Sequence, residues 1–160
     1  YLLLGQVIAY SPVRKRQSCG NPDTEIMIST RNTLCKEERL HGRDAVESLF
    51  KKAGSRSMVA FPLRVVYALT DHKEGSDIRV RMLVSVPKRH FKRAVKRNRV
   101  KRQVREAYRC NKHSLAAAVA AMEGNKDLSL AFVWLDDNLH PSAEVEKRVQ
   151  RLLQRLEEKL

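Results

Sequence analysis

Residues 78–109 read IRVRMLVSVPKRHFKRAVKRNRVKRQVREAYR. In the first ten positions Val80, Met82 and Val84 fall on one side, and arginines fall on the other. A period of two is typical of a β-strand that buries one face. We expect the opposite face to be solvated or covered by a ligand. From residue 92 the apolar spacing becomes helical, so the segment predicts a strand that leads into a helix over 92–109.

The helix predicted over 92–109 has two contrasting faces. At 100° per residue an apolar stripe would dock on the sheet, formed by Val100, Val104, Ala107 and Tyr108. The rest of the surface is cationic, and each like-charged pair four residues apart costs roughly a few tenths of a kcal/mol. Such a row is tolerable where packing outweighs the repulsion or where an anion such as a phosphate backbone neutralises it.

The net charge of the chain is concentrated in this segment. The 160 residues include 32 Lys or Arg and 18 Asp or Glu, a net charge of +14. Residues 88–109 contain eleven of the cations and one acid, and so supply +10. This focus argues against an average metabolic enzyme and favours a polyanion, nucleic acid ahead of an anionic membrane. A membrane-surface helix is disfavoured because the apolar stripe is thin and holds no Trp or Phe.

Segments on either side predict further helices and strands. Helical spacing spans residues 36–53. The β-branched and aromatic residues of 58–70 predict a short strand and a longer one, separated at Pro62, which cannot donate a ladder hydrogen bond.

The C-terminal half completes an α+β pattern. Asn111 is expected to end the basic helix, and a second short helix is predicted over 114–122. Residues 128–135 predict a buried strand, and Ser142 is expected to cap the last helix. The order α-β-β-β-α-(α)-β-α predicts a sandwich with one mixed sheet of about four strands and helices packed on it.

Domain boundaries and compartment follow from composition. Residues 11–35 are rich in Ser, Pro, Gly and Asn, so we expect residues 1–32 to form a disordered N-terminal extension and residues 33–160 to form the domain. No stretch approaches the roughly 18 apolar residues of a membrane span. The cysteines lie in no C-x-x-C pair, which favours a reducing cytoplasm over disulfides or zinc: Cys19, Cys35 and Cys110.

A protein nuclease would need clustered carboxylates or a nucleophile with its base. The candidate carboxylates occupy predicted turns or strand ends, and adjacent ones point apart on extended backbone: Asp71, Asp77, Asp136 and Asp137. The five histidines are scattered along the chain. The sequence therefore predicts no catalytic groups in the polypeptide.

The segment KRAVKRNRVKRQVREAYR resembles the signature of the protein subunit of bacterial ribonuclease P. In that family a strand ending in S-V-x-K-[KR] leads into a helix carrying A-V-x-R-N-R-[IV]-K-R-x-[IVL]-R-[EQ]. The matching positions are Ser85, Val86, Lys88, Arg89, Ala94, Val95, Arg97, Asn98, Arg99, Val100, Lys101, Arg102, Val104, Arg105 and Glu106. The resemblance covers about residues 33–158, and it implies a left-handed βαβ crossover and a fold like domain 2 of ribosomal protein S5.

The resemblance also implies a function. In the family the catalyst is an RNA, and the protein helps it remove the 5′ leader of precursor tRNA by binding both the catalytic RNA and the leader. Magnesium ions would act through the RNA-containing holoenzyme, with none bound by the protein alone. The expected partners are the catalytic RNA and precursor tRNA, without membrane or DNA. The alternative is a stand-alone basic RNA-binding or ribosome-associated protein with no role in cleavage.

Site residues carried over from the resemblance form two groups. The candidate contacts to the catalytic RNA are Lys88, Arg89, Arg93, Lys96, Arg97, Asn98, Arg99, Lys101, Arg102 and Arg105. The candidate leader cleft consists of Phe50, Phe61, Arg64, Arg81 and Ser85.

Two of these positions leave alternatives open, and a third residue departs from the family pattern. Asn98 could form a helix-packing hydrogen bond or contact a ribose or phosphate. Phe50 could belong to the core or to the cleft. Val46 stands where some relatives carry a second aromatic residue, which would weaken a stacking platform.

Overall fold

The computed structural model describes residues 32–51, 54–72, 77–122 and 124–160. The predicted disordered extension therefore lies outside the described residues, apart from Asn32. The described elements are α1 (Arg43–Lys51), β1 (Arg56–Ala60), β2 (Leu63–Asp71), β3 (Val80–Ser85), α2 (Ala94–Ala121), β4 (Lys126–Trp134) and α3 (Ser142–Glu157). The predicted α+β order is confirmed.

The strands form one mixed sheet in the order β1-β2-β4-β3. β2 is antiparallel to both β1 and β4, whereas β3 and β4 are parallel neighbours that α2 connects. The first two strands are separated at Phe61–Pro62, as the position of Pro62 predicts. The architecture is therefore the predicted four-stranded sandwich.

The main core lies between the sheet and the two long helices. β3 contributes Val80, Met82 and Val84, and all four residues of the predicted α2 stripe are buried there. Trp134 is fully buried on the same face. α3 adds its own stripe, which consists of Val145, Val149, Leu152, Leu153 and Leu156. Both stripes follow the helical period because one side of each helix packs on the sheet.

The opposite face of the sheet is partly covered by α1. Leu49 of α1 packs there with Val66 and Ala131 of the sheet, and Leu83 of β3 packs against the same cluster. The expectation that this face is solvated or covered by a ligand is therefore wrong for the part beneath α1. We call this side of the sheet the α1 face.

α2 is one continuous helix through residue 121, so the predicted break at Asn111 and the separate helix over 114–122 are wrong. The side chain of Asn111 does not interrupt the backbone ladder. Its Nδ2 donates to the carbonyl of Ala107 one turn earlier at 2.8 Å, and its Oδ1 accepts a hydrogen bond from Gln150 of α3 at 3.0 Å. The hydrogen bond between the two helices satisfies the Asn111 side chain, so this polar residue is tolerated within α2.

The N-terminal helix and the cap of α3 also differ from prediction. α1 begins at Arg43 and not at residue 36, because residues 38–40 pair with β3 through the Met82 backbone. Pro141 occupies the N-cap of α3, and Ser142 is its first helical residue. The Ser142 hydroxyl accepts a hydrogen bond from Gln103 Nε2 at 3.0 Å and makes no cap.

Residues 32–40 form an N-terminal strap, with a turn closed by the hydrogen bond from Arg39 N to the Lys36 carbonyl, and the strap is held against α2. The Lys112 ammonium, which is buried, donates to the carbonyl of Thr33 at 2.6 Å and to both Glu38 carboxylate oxygens at 2.6 and 2.8 Å. Arg109 donates to the carbonyl of Asn32. Burial, with a smaller contribution from the Glu38 charge, raises the pKa of the neighbouring Tyr108 hydroxyl. The strap is thus fixed to α2 by polar contacts and to β3 by backbone hydrogen bonds.

Candidate nucleic-acid interface

The ten predicted RNA contacts lie in the turn at residues 88–90 and along the first half of α2. None of them is buried, and Arg97, Lys101 and Arg105 are half-buried. The nine cations among them form no ion pair with any carboxylate in the described part of the chain. We call this surface the basic face. Its charge is therefore left available for an external anion.

The start of α2 adds to this positive potential. Its N-cap, Arg93, makes no side-chain capping hydrogen bond, and the first turn contains no acidic residue. The partial positive charge of a helix N-terminus is normally offset by Asp or Glu, but here cations stand beside it. A bound anion would relieve both the exposed N–H groups and the repulsion between the side chains.

Arg97 has a structural role within the basic face. Its Nη1 donates to the carbonyls of Phe91 and Lys92, at 2.8 and 2.7 Å. Phe91 is buried, so these bonds fix the turn that precedes α2. Arg99, two residues further on, is exposed, and its side chain makes no hydrogen bond with any described residue.

We expect Arg97→Ala and Arg99→Ala both to weaken RNA binding, but only the first to destabilise the fold. Loss of the two charge-assisted bonds to the Phe91 and Lys92 carbonyls should lower the free energy of unfolding by about 1.5 kcal/mol for Arg97→Ala. Arg99→Ala should change it by less than about 0.5 kcal/mol. Urea unfolding of the two variants measures the difference. Equal unfolding midpoints would show that the Arg97 bonds contribute nothing to stability.

Asn98 lies exposed on the basic face, and its side chain bonds to no residue that the structure describes. The helix-packing alternative for this amide is therefore excluded within the described residues. Val95, in the same turn of α2, is 79% exposed, the largest exposure among the described large apolar residues. An amide and an apolar side chain set among cations provide hydrogen-bonding and contact groups that a purely electrostatic surface lacks.

His90 positions Arg89 in the turn before α2. Arg89 Nε donates to His90 Nε2 at 3.1 Å, so Nδ1 carries the ring proton and donates to Asp137 Oδ1 at 2.7 Å. The chain from carboxylate through imidazole to guanidinium connects the turn to the segment between β4 and α3. His90 is therefore a positioning residue for Arg89.

The predicted leader cleft lies mainly on the α1 face. Arg64 and Ser85 stand in one row across the sheet, together with Val59 and Val133. Arg64 is exposed and donates to Ser57 Oγ at 3.1 Å. Arg81 is four residues before Ser85 on the same face and is half-buried.

The two phenylalanines assigned to the cleft have different surroundings. Phe50 at the end of α1 is 46% exposed, whereas its neighbour Leu49 takes the core position. Phe61 is 56% exposed, and its ring makes an edge contact with His140, with centroids 6.3 Å apart. The Phe61 ring thus lies against His140 in the connection between β4 and α3.

Two of the candidate carboxylates, Asp136 and Asp137, lie in the connection between β4 and α3. Asp136 and Glu144 flank the His140 ring at 2.6 and 3.1 Å, and the hydrogen bond to Asp136 is the main cause that raises the pKa of His140. Asp137 binds His90 instead. Among the described residues no group of three or more His, Cys, Asp or Glu side chains is arranged to hold a metal ion. None of the described helices is long and apolar enough to span a membrane.

Comparison with known proteins shows which family the chain belongs to. The family model described as Ribonuclease P matches residues 34–157. The chain belongs to the ribonuclease P family. The ribonuclease P protein component of Porphyromonas gingivalis is 45% identical over 126 residues, covering 77% of this chain and 85% of that protein. The component from Chlorobaculum tepidum is 39% identical over 105 residues, covering 64% and 68%.

Solved ribonuclease P proteins share the fold. The protein from Thermotoga maritima superposes with a TM-score of 0.53 at 23% identity, covering 73% of this chain and 96% of that one. The protein from Staphylococcus aureus gives a TM-score of 0.52 at 18% identity, covering 74% and 94%. The architecture argued from the sequence is thus that of ribonuclease P proteins.

Sequence reasoning gave no role to several residues that the structure brings to notice near the basic face. Val95 carries a signal, because it falls outside the apolar stripe of α2 and yet is apolar. Lys112 carries another, because it stands one turn after Tyr108 in that stripe, where a charge requires a buried partner. The pairing of His90 with Asp137 had no sequence signal, since the two residues are 47 positions apart.

Proposed function

We propose that this protein is the RNA-binding accessory subunit of ribonuclease P and assists a catalytic RNA in removing the 5′ leader from precursor tRNA. The observation that carries the proposal is the basic face, whose nine cations have no carboxylate partner among the described residues. Guanidinium groups in such a row suit the phosphates of a folded RNA, because each can bind two phosphate oxygens.

The leader would bind on the α1 face beside the exposed end of α1. Arg64 supplies a cation for the backbone of a single strand, and the half-exposed Phe50 supplies a ring on which a base can stack, worth about 1–3 kcal/mol. Val46 packs against the apolar cluster below α1 and offers no second ring. We therefore assign base stacking at this end of α1 to Phe50.

The chemistry of cleavage belongs, in this proposal, to the RNA. The donor sets on the described residues do not fit a magnesium site, so we derive no step through a metal held by the protein. The polypeptide contributes binding and orientation, which raise the local concentration of precursor tRNA at the catalytic RNA. We propose the cytoplasm as the site of action.

Cleavage of a precursor tRNA at low magnesium tests the proposal. The ribonuclease P RNA of Porphyromonas gingivalis is given a precursor tRNA carrying a 5′ leader, at a magnesium concentration at which the RNA alone is slow. In the presence of the protein, cutting should be accurate. We expect the full chain to restore cutting and to show no activity without the RNA.

Two other outcomes would overturn the assignment. If the protein binds the RNA but leaves cleavage unchanged, it is a stand-alone RNA-binding protein. If it cuts precursor tRNA without the RNA, the polypeptide itself contains the catalytic groups. A mature tRNA without a leader serves as the control, and its affinity for the complex should be lower than that of the precursor.

A further inference from the structure

A further cationic surface lies between the N-terminal strap and the middle of α2, and it shares Arg102 and Arg105 with the basic face. It is an open groove of about 580 Å³. Four arginines line it: Arg39 from the strap, and Arg102, Arg105 and Arg109 from successive turns of α2. We call it the arginine groove. Arg39 and Arg109 belong to neither of the two sets of residues that the family resemblance supplied.

The charges in the arginine groove do not cancel. Its one acid, Glu106, is bound by Arg109 through both carboxylate oxygens. That contact is the main cause that lowers the pKa of Glu106, and Arg109 is the cation that pairs with this carboxylate. Arg39, Arg102 and Arg105 form no ion pair with any described residue. Three guanidinium groups therefore face the same open volume without a counter-charge.

The wall that carries Arg39 is held in place at both ends. On one side of Arg39 the Glu38 carbonyl accepts a hydrogen bond from Met82 N, and on the other Leu40 N donates to the Met82 carbonyl, both at 2.8 Å. The Glu38 carboxylate is held by the buried Lys112. The backbone of Arg39 is thereby fixed relative to α2 before any ligand binds, which reduces the ordering cost of binding.

We propose that the arginine groove is a second binding site for the RNA backbone, in which Arg39 and the α2 arginines contact phosphates that continue the strand lying on the basic face. The proposal rests on the proposed function. α2 rises about 1.5 Å per residue, so Arg93 to Arg109 span roughly 24 Å, several phosphates of one strand. Guanidinium groups on two facing walls can bind a phosphate chain from both sides, which a flat cationic surface cannot do.

The salt dependence of RNA affinity tests this site. The affinity of the full chain for the Porphyromonas gingivalis ribonuclease P RNA is measured between about 0.1 and 0.5 M KCl. Over this range, every two phosphate contacts should change the affinity about tenfold. Each lost phosphate contact should reduce the slope of log affinity against log salt by about 0.7–0.9. Arg39→Gln should show this reduction and bind about fivefold more weakly near 0.15 M salt. Arg39→Lys should retain the slope because it keeps the charge.

Matched variants separate the possible results. Arg151→Gln, an exposed arginine on α3, removes the same charge from another face and should leave the slope unchanged. Arg99→Gln on the basic face should reduce it. If Arg99→Gln lowers the slope and Arg39→Gln does not, the RNA does not extend from the basic face onto the Arg39 wall of the groove, and the proposal is wrong. If neither lowers it, the proposed RNA-binding role of the basic face is also wrong.

Misfolding is excluded as a cause by comparing unfolding midpoints. Arg39 is exposed, and its side chain forms one hydrogen bond among the described residues, a long 3.5 Å contact with the Leu34 carbonyl. Arg39→Gln should therefore unfold at the same urea concentration as the parent chain. A loss of slope that Arg39→Lys fails to restore would indicate a structural effect and would overturn the proposal.

Discussion

Replacing Lys112 with Met should lower the free energy of unfolding by about 3 kcal/mol, the largest single-site effect we expect outside the apolar core. The ammonium is buried and satisfies the Glu38 carboxylate and the Thr33 carbonyl. Met matches the length of the lysine stem, but it leaves a carboxylate and a carbonyl without their donor. Urea unfolding followed by circular dichroism measures the loss.

A double variant distinguishes a broken ion pair from a simple packing change. Glu38→Gln added to Lys112→Met removes the uncompensated charge and should recover part of the lost stability. Lys147→Met, on the exposed side of α3, is the control and should change stability by less than about 0.5 kcal/mol. If the double variant is as unstable as the sum of its single changes, the pair makes no coupled contribution.

Removing three cations from the start of the basic face should weaken RNA binding roughly 100-fold near 0.15 M salt. The variant is Arg93→Gln, Lys96→Gln and Arg99→Gln, which are exposed and lie three residues apart. Three lost phosphate contacts should reduce the salt slope by about two to three. Filter binding or fluorescence anisotropy with the ribonuclease P RNA gives both quantities.

The matched control removes the same charges from α3. Lys147, Arg151 and Arg155 are exposed and four residues apart, so changing all three to Gln alters the net charge equally on a different surface. We expect this control to retain most of the parent affinity. Equal losses in both triple variants would mean that net charge alone attracts the RNA, without a defined contact surface.

Elements with a strong local signal could be predicted from the sequence. The alternation in β3 and the stripe of α2 each repeat with one clear period, and both lie in the core as expected. The errors came at residues whose behaviour depends on a distant partner. Asn111 continues α2 because Gln150 binds it from α3, and residues 38–40 leave the helical pattern because they pair with β3.

The residues of the candidate site also differ in how far the sequence predicts them. A run of cations is visible in any sequence, so the basic face could be named residue by residue, although its contacts with RNA stay a prediction. The arginine groove could not be predicted, because Arg39 is brought to α2 by the contacts of the N-terminal strap and not by a motif. Arg97 shows the intermediate case, since its charge was evident but its bonds to Phe91 and Lys92 were not.

The fastening of the strap has a consequence for the order in which the domain is assembled. Glu38 and Lys112 are 74 positions apart, and β3, which supplies the other fixed contacts of the strap, ends at Ser85. During synthesis the strap leaves the ribosome well before α2 is complete, so its carboxylate stays in water until the helix is present. Contacts of such long sequence separation are slow to form. The first described part of the domain to be made is thus among the last to reach its native position.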